Sequence, residues 1–289
     1  MKSKFLIAAV ITTSTLITLN AEARTLIQNK GSDTLVNVAQ AWAEKYRDVN
    51  PEVAVAVSGG GSGTGIAAMI NGTVDIANAS RKMKKKEQKL AKKRGQNPVE
   101  HIVGYDALAI FLHPNNPANS LTITQIADIY GRKGKAKKWT DLGLEVPGCK
   151  GQKIVVVSRQ NNSGTYVYFK KAVLGKKGKY RMGTLDMHGS KDVVDLVEKT
   201  PCAIGFSGLA YATDHVKLAC ISSNGAACVN PSVATASDGH YPIARPLFMY
   251  TNGEPKGAIK GYLDWIRSDI GQCIILKKGY APINKVSCK

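Results

Sequence analysis

The chain is 289 residues long, with 40 basic against 21 acidic side chains, 44% apolar residues and six cysteines. That is too long for one small core, and the balance of apolar and charged residues excludes a wholly disordered chain, a collagen-like fibre and a polytopic membrane protein. Two folded domains are expected.

In chain order, Lys2 and Lys4 precede an apolar stretch over residues 5–19, and Ala21-Glu22-Ala23 follows as a small-x-small cleavage site. The pattern predicts a secretory signal peptide over residues 1–23, cleaved after Ala23. Threonines and serines break the stretch, and it is shorter than the roughly 20 apolar residues a spanning helix needs. No cysteine stands at the cleavage site for lipid attachment, the first being Cys149. Residues 1–23 hold Lys2, Lys4 and Glu22, so 38 basic and 20 acidic residues remain without them, a charge of +18. Such an excess suits nucleic acid, an acidic surface polymer or the capture of small anions.

After residue 23, short apolar runs alternate with amphipathic ones, which argues for an α/β fold. Residues 25–28 form a strand candidate, followed by Gly31-Ser32-Asp33-Thr34. Leu35, Val38, Ala39, Trp42, Ala43 and Tyr46 then recur on one face of a helix, with Ser32 or Asp33 as its N-cap. A second unit repeats the design. Residues 53–57 are a β-propensity run, residues 58–64 a serine-glycine turn, and Ile66, Ala67, Met69 and Ile70 open a helix. A third unit comprises residues 154–157, then Ser158-Arg159, then Ser163-Gly164-Thr165 leading into Tyr166, Val167, Phe169 and Val173. Each turn aims backbone N–H groups and hydroxyls outward at a helix N-terminus, where the partial positive charge favours an anion. An ordinary N-cap explains any one of them; three in one chain, one beside Arg159, point to a shared oxyanion site.

Between the second and third units, residues 82–94 carry eight basic residues and one acid, with Met83 and Leu90 one heptad apart. The run reads as a solvated helix face or as a polyanion site, and without aromatics it lacks the stacking platform of a single-strand binder. In an exported chain, Cys149, Cys202, Cys220, Cys228, Cys273 and Cys288 form an even set suited to three disulfides. Sequence proximity favours Cys220 with Cys228 and Cys273 with Cys288, leaving Cys149 with Cys202, although six cysteines allow fifteen connectivities. Zinc competes, but no C-x-x-C spacing occurs. The glycine-rich turn lacks the Gly-Lys-Ser/Thr ending of a nucleotide-binding P-loop, and the dinucleotide match Gly63-x-Gly65-x-x-Ala68 lacks its acid, Asp75 coming too early. There is no G-x-S-x-G elbow, and His101, His113, His188, His215 and His240 show no metal spacing. No enzyme, cofactor or metal is called for.

The chain resembles the periplasmic phosphate-binding proteins of bacterial ABC transporters over nearly its whole length after residue 23. The specific pieces are Gly31-Ser32-Asp33-Thr34, Gly60-Gly61-Ser62-Gly63-Thr64-Gly65, Gly72-Thr73-Val74-Asp75-Ile76-Ala77 and Arg159-Gln160-Asn161-Asn162-Ser163-Gly164-Thr165. The resemblance implies a type 2 periplasmic-binding-protein clamp of two α/β lobes, joined by two crossover strands near residues 103–106 and 241–247, with the ligand in the interlobe cleft. Lobe one would then be residues 24–104 and 246–289, and lobe two residues 105–245.

Residue by residue, Asp33 and Thr34 with Ser32 match the first-turn contacts, Ser62 the second-turn serine, and Arg159, Ser163, Gly164 and Thr165 the lobe-two arginine and its serine-glycine-threonine. Where the family's well-known members place an aspartate that accepts the proton of hydrogen phosphate, this chain has Ser80-Arg81. Arg81 would add a second positive charge, and Asp33 would supply the missing filter against sulfate. The implied function is capture of inorganic phosphate and delivery to a membrane-embedded ABC permease, by a monomer without nucleic-acid partners in the periplasm of a Gram-negative cell. Receptors for sulfate, arsenate or molybdate, and a secreted phosphatase or polyanion-binding surface protein on the same scaffold, are the alternatives.

Overall fold

A computed structural model of the chain describes residues 24–223 and 225–288; the expected leader over residues 1–23 lies outside the described residues. The first units run β1 (Thr25–Gly31), α1 (Asp33–Val49), β2 (Val53–Ser58), α2 (Ser62–Ile70), β3 (Ile76–Ala79), α3 (Lys85–Lys93) and the long β4 (Pro98–Leu112). Then come β5 (Ser120–Thr122), α4 (Ile123–Tyr130), β6 (Val155–Arg159), α5 (Gly164–Val173), β7 (Leu185–Met187), α6 (Ser190–Glu198) and β8 (Ala203–Gly208). The chain closes with β9 (Lys217–Leu218), β10 (Cys220–Ser222), α7 (Val233–Ser237), β11 (Ala244–Asn252), α8 (Gly257–Arg267) and α9 (Asp269–Lys277).

The main sheet has the order β2-β1-β3-β11-β4-β8-β6-β7, with β9 also on β4, while β5 and β10 form a separate pair. β4 does the joining. Its residues 98–107 pair antiparallel with β11 and its residues 108–112 with β8, so one strand belongs to both halves of the sheet. The second joining strand, β11, bridges β3 and β4 and carries a register shift between Leu247 and Phe248. Tyr105 also exchanges two backbone hydrogen bonds with Ala281, at 2.8 and 2.9 Å, so the C-terminal segment braces β4 where the halves meet.

Each half has its own core. In the first, Leu35, Val38, Trp42 and Tyr46 of α1 pack with Leu247, Tyr262 and Ile266, and Trp42 Nε1 donates to Gly271 O at 2.7 Å. This is the stripe that the i, i+3, i+4 spacing predicts. In the second, Tyr130, Phe169 and Phe206 cluster, the two phenylalanine rings stacked 3.8 Å apart. Burying such rings contributes roughly 1.5–3 kcal/mol each.

Two boundaries differ from the sequence expectation. β1 continues past residue 28 to Gly31 because Asn29, Lys30 and Gly31 pair with β3 while the strand still pairs with β2, and two ladders hold polar residues in line. α2 begins at Ser62 rather than near Ile66, despite Gly63 and Gly65. Packing overrides propensity here: a Cβ at Gly65 would stand 2.4 Å from Lys30 O, so the glycine lets the helix lie directly on β1. In the basic run, Met83 and Ala91 are buried but Leu90 is 43% exposed. The cysteines pair as Cys149–Cys202, Cys220–Cys228 and Cys273–Cys288. No helix among the described residues is long and apolar enough to cross a membrane.

Candidate functional site

Three helices start at the three turns read from the sequence: α1 behind Ser32, α2 behind Gly61 and α5 behind Ser163. Their first turns gather backbone N–H donors and partial positive charge. Gly60 and Gly61, at φ 103° and 92°, make the sharp entry into α2 that a side chain would strain. Ser163 Oγ accepts from the N–H groups of Thr165 and Tyr166 at 3.2 and 3.4 Å, which caps α5.

The hydroxyls of these turns converge. Ser32 Oγ donates to Ser80 Oγ at 2.9 Å, and Ser80 Oγ lies 3.4 Å from Ser62 Oγ, which accepts the Ser80 N–H at 3.0 Å. Thr34 Oγ1 and Thr165 Oγ1 are 3.0 Å apart, one from each half of the molecule. All five residues are buried. Gly164 sits against the same group: a Cβ there would stand 2.2 Å from Ser62 Oγ and 2.5 Å from Ser80 Oγ, so only glycine permits the approach. Asn162 adds a second link, its Nδ2 donating to Gly60 O at 2.9 Å and its carbonyl accepting the Gly63 N–H at 2.8 Å.

The positive charge bonded to these hydroxyls is Arg245 of β11, a residue the sequence reading missed. Its Nη2 donates to Thr165 Oγ1 at 3.0 Å and Thr34 Oγ1 at 3.3 Å, and its Nη1 to Ser80 O at 3.3 Å. Nε and Nη2 both reach Asp106 Oδ2 of β4, at 3.0 and 2.8 Å, and both side chains are fully buried. Burial pushes the Asp106 carboxyl up, and the Arg245 charge and hydrogen bonds only partly oppose it. The available signal was Arg245 as the single charge of β11 and Asp106 as the single charge in the apolar stretch of residues 102–112 of β4.

Arg159 is buried and stands beside this cluster, held by its own partners. Nη1 donates to Ser190 Oγ at 2.8 Å, Nη2 to His188 O at 2.7 Å and to Asp33 Oδ2 at 3.0 Å, and Nε to His188 O at 3.2 Å. Burial pushes its pKa down to about 10, opposed chiefly by the Asp33 charge. Asp33 joins the halves through Arg159 and through its backbone carbonyl, which accepts from Tyr211 Oη at 2.5 Å, while Oδ1 accepts the Gly60 N–H of its own half at 2.8 Å.

Arg81 does not join the hydroxyls. Its two Nη groups grip Glu87 at 2.8 Å each, and Nη1 also donates to Lys82 O. The reason is local: Glu87 in the first turn of α3 already accepts the Lys84 N–H at 2.7 Å and presents its carboxylate six residues from the arginine. The second cation expected from Arg81 is directed to α3, and Arg245 stands among the hydroxyls instead.

Such a cluster suits a small oxyanion. Hydroxyl hydrogens rotate toward an acceptor at no cost in net charge, Arg245 supplies planar charged donors, and burial strengthens each bond. No group of three or more His, Cys, Asp or Glu suited to a metal occurs among the described residues.

Comparison with known proteins agrees with this architecture. The PBP superfamily domain matches residues 18–269. The chain belongs to the PBP superfamily. Among its superfamily relatives, the phosphate-binding protein PstS of Pseudomonas aeruginosa is 36% identical over 269 residues, covering 89% of this chain and 83% of that one. The PstS of Bacillus subtilis is 32% identical over 254 residues, covering 88% and 79%. A solved phosphate ABC transporter substrate-binding protein from Clostridium perfringens, with bound phosphate, superposes with a TM-score of 0.80 at 30% identity, covering 90% of this chain and all of that one. These likenesses give this PBP-superfamily chain its fold class.

Proposed function

We propose that the chain captures inorganic phosphate between two lobes, residues 24–104 with 246–289 and residues 105–245, and delivers it to a membrane-embedded ABC permease. The observation that carries this reading is the buried cluster of Ser32, Thr34, Ser62, Ser80 and Thr165 around Arg245, drawn from both halves and from the joining strand β11. The relatives, a phosphate-binding protein and a structure with bound phosphate, supply the anion. Arg159, Ser163 and Gly164 complete the lobe-two wall, and Arg81 acts through Glu87 on α3. The protein works as a monomer, and it works in an exported, oxidising compartment, the latter reading supported by its three disulfides. Capture requires no bond-making, and specificity rests on buried polar groups that a wrong anion leaves unpaired.

Calorimetric titration of residues 24–289, stripped of carried-over ligand by unfolding and refolding, tests this. Tight one-to-one binding of phosphate with weak binding of sulfate is expected; a folded sample that binds neither refutes the proposal, and equal binding refutes its selectivity. The Asp33 carboxylate, anchored by Arg159, accepts the proton of hydrogen phosphate and repels fully ionised sulfate in this reading. Asp33→Asn should therefore narrow the phosphate-over-sulfate preference at least tenfold, and an unchanged preference would remove Asp33 from that role.

A further inference from the structure

Two runs far apart in sequence carry a one-sided charge: residues 132–138 hold five basic residues and no acid, and residues 170–181 hold six and no acid. The fold lays them side by side. The Arg132 N–H donates to Lys179 O and the Arg181 N–H to Tyr130 O, both at 2.8 Å, around an antiparallel bridge between Gly131 and Tyr180. Between the runs lies a groove of about 570 Å³, edged by Arg132, Lys133, Lys177 and Lys179, with Val173 and Leu174 also lining it and Asp128 as its one acid. A second groove, of about 420 Å³, is edged by Lys85, Lys89 and Lys92 of α3.

The two basic surfaces come within electrostatic reach of each other at Lys84 and Lys170. Lys170 of α5 is among the cations that, after burial and Arg81, hold the Lys84 ammonium below its ordinary pKa. An apolar tip stands at the end of the second run: Met182, next to Arg181, is 82% exposed. It is the most exposed of the large apolar side chains among the described residues. Acids also border this surface: Asp128 lines the groove, Asp141 accepts the Lys137 and Lys138 N–H groups at 2.7 and 2.9 Å, Glu100 pairs with Lys82 at 3.2 Å and Glu87 with Arg81 at 2.8 Å, so the basic residues outnumber them.

We infer that this face docks the protein onto the surface of an anionic lipid bilayer, with Lys133, Lys177 and Lys179 over the headgroups and Met182 dipping among them. Lysines near an anionic leaflet each strengthen binding about fivefold at low salt, within a Debye length of about 10 Å. An apolar tip gains by leaving water at a bilayer interface, whereas a hydrophilic acidic polymer gives it nothing. That difference selects the membrane over a soluble polyanion. The face lies outside the hydroxyl cluster, so docking and anion capture are separable.

The test is co-sedimentation of residues 24–289 with vesicles of mixed phosphatidylglycerol and phosphatidylcholine, against vesicles of phosphatidylcholine alone. Binding to the anionic vesicles only, lost as salt is raised, is expected. Lys133→Gln, Lys177→Gln and Lys179→Gln together should weaken it about a hundredfold. Met182→Ser should weaken binding to vesicles but leave retention on heparin unchanged. Phosphate titration of each variant should match the parent, which shows that it is folded and that a docking failure is separate from a failure of the capture reading. Retention on heparin or soluble polyphosphate without vesicle sedimentation overturns the inference, as does vesicle binding unmoved by the triple variant.

Discussion

Replacing Arg245 by methionine removes the one cation bonded to the buried hydroxyls and strands its partner. Asp106 is fully buried, and its Oδ2 receives both Nε and Nη2 of Arg245. Breaking such a pair from one side costs roughly 3–5 kcal/mol, whereas replacing both partners by apolar groups of similar volume is often close to neutral. Arg245→Met alone should therefore lower the denaturation free energy by about 3–5 kcal/mol, and Arg245→Met with Asp106→Leu should restore most of it. Anion capture separates from stability in this pair. A charged hydrogen bond contributes about 1.5–3 kcal/mol, so both variants should lose at least tenfold in phosphate affinity. The assays are denaturant unfolding of ligand-stripped protein and calorimetric titration. A folded double variant that still binds phosphate like the parent would refute the role of Arg245. A single variant that costs no more than the ~0–1 kcal/mol of an exposed pair would refute the burial argument.

Gly164→Ala places a methyl where Ser62 Oγ and Ser80 Oγ stand, at 2.2 and 2.5 Å; overpacking should lower the unfolding free energy by about 2 kcal/mol in denaturant. Removing each disulfide as a serine pair should cost stability in the order of loop length, Cys149–Cys202 (53 residues apart) above Cys273–Cys288 (15) above Cys220–Cys228 (8), at about 4, 3 and 2.5 kcal/mol by denaturant unfolding. Burial raises the Glu87 carboxyl, but its hydrogen bonds to Arg81 and Lys84 and their charges outweigh this and hold it below 4.5. Its contribution is present above the unfolded-state pKa and is lost as pH falls through the lowered folded value. Glu87→Gln should thus cost about 1–2 kcal/mol at pH 7 and nothing once both states are protonated, as unfolding curves across pH would show.

The three turns were legible because their chemistry is local: a strand run, a glycine or serine, then a helical stripe stand within a dozen residues of one another. Arg245 and Asp106 were not, because they become cross-strand partners only through the antiparallel register of β11 on β4, 139 residues apart in the chain. Arg81 misled for the opposite reason. It adjoins Ser80, and its neighbourhood in the chain says nothing of a carboxylate that the first turn of α3 brings round to it. The basic loops at 132–138 and 170–181 escaped notice likewise, since neither is unusual until the bridge at Gly131 and Tyr180 joins them.

β4 and β11 remain hydrogen-bonded to each other across the region where the halves meet, apart from the shift between Leu247 and Phe248, where Val103 is skipped in the register. A β-bulge concentrates bend and twist in one place. The two halves are therefore coupled by a torsion bar with a single soft point rather than by loose tethers. Motion between them is directional, the ribbon resists sliding, and neither half can melt without tearing a strand from the other.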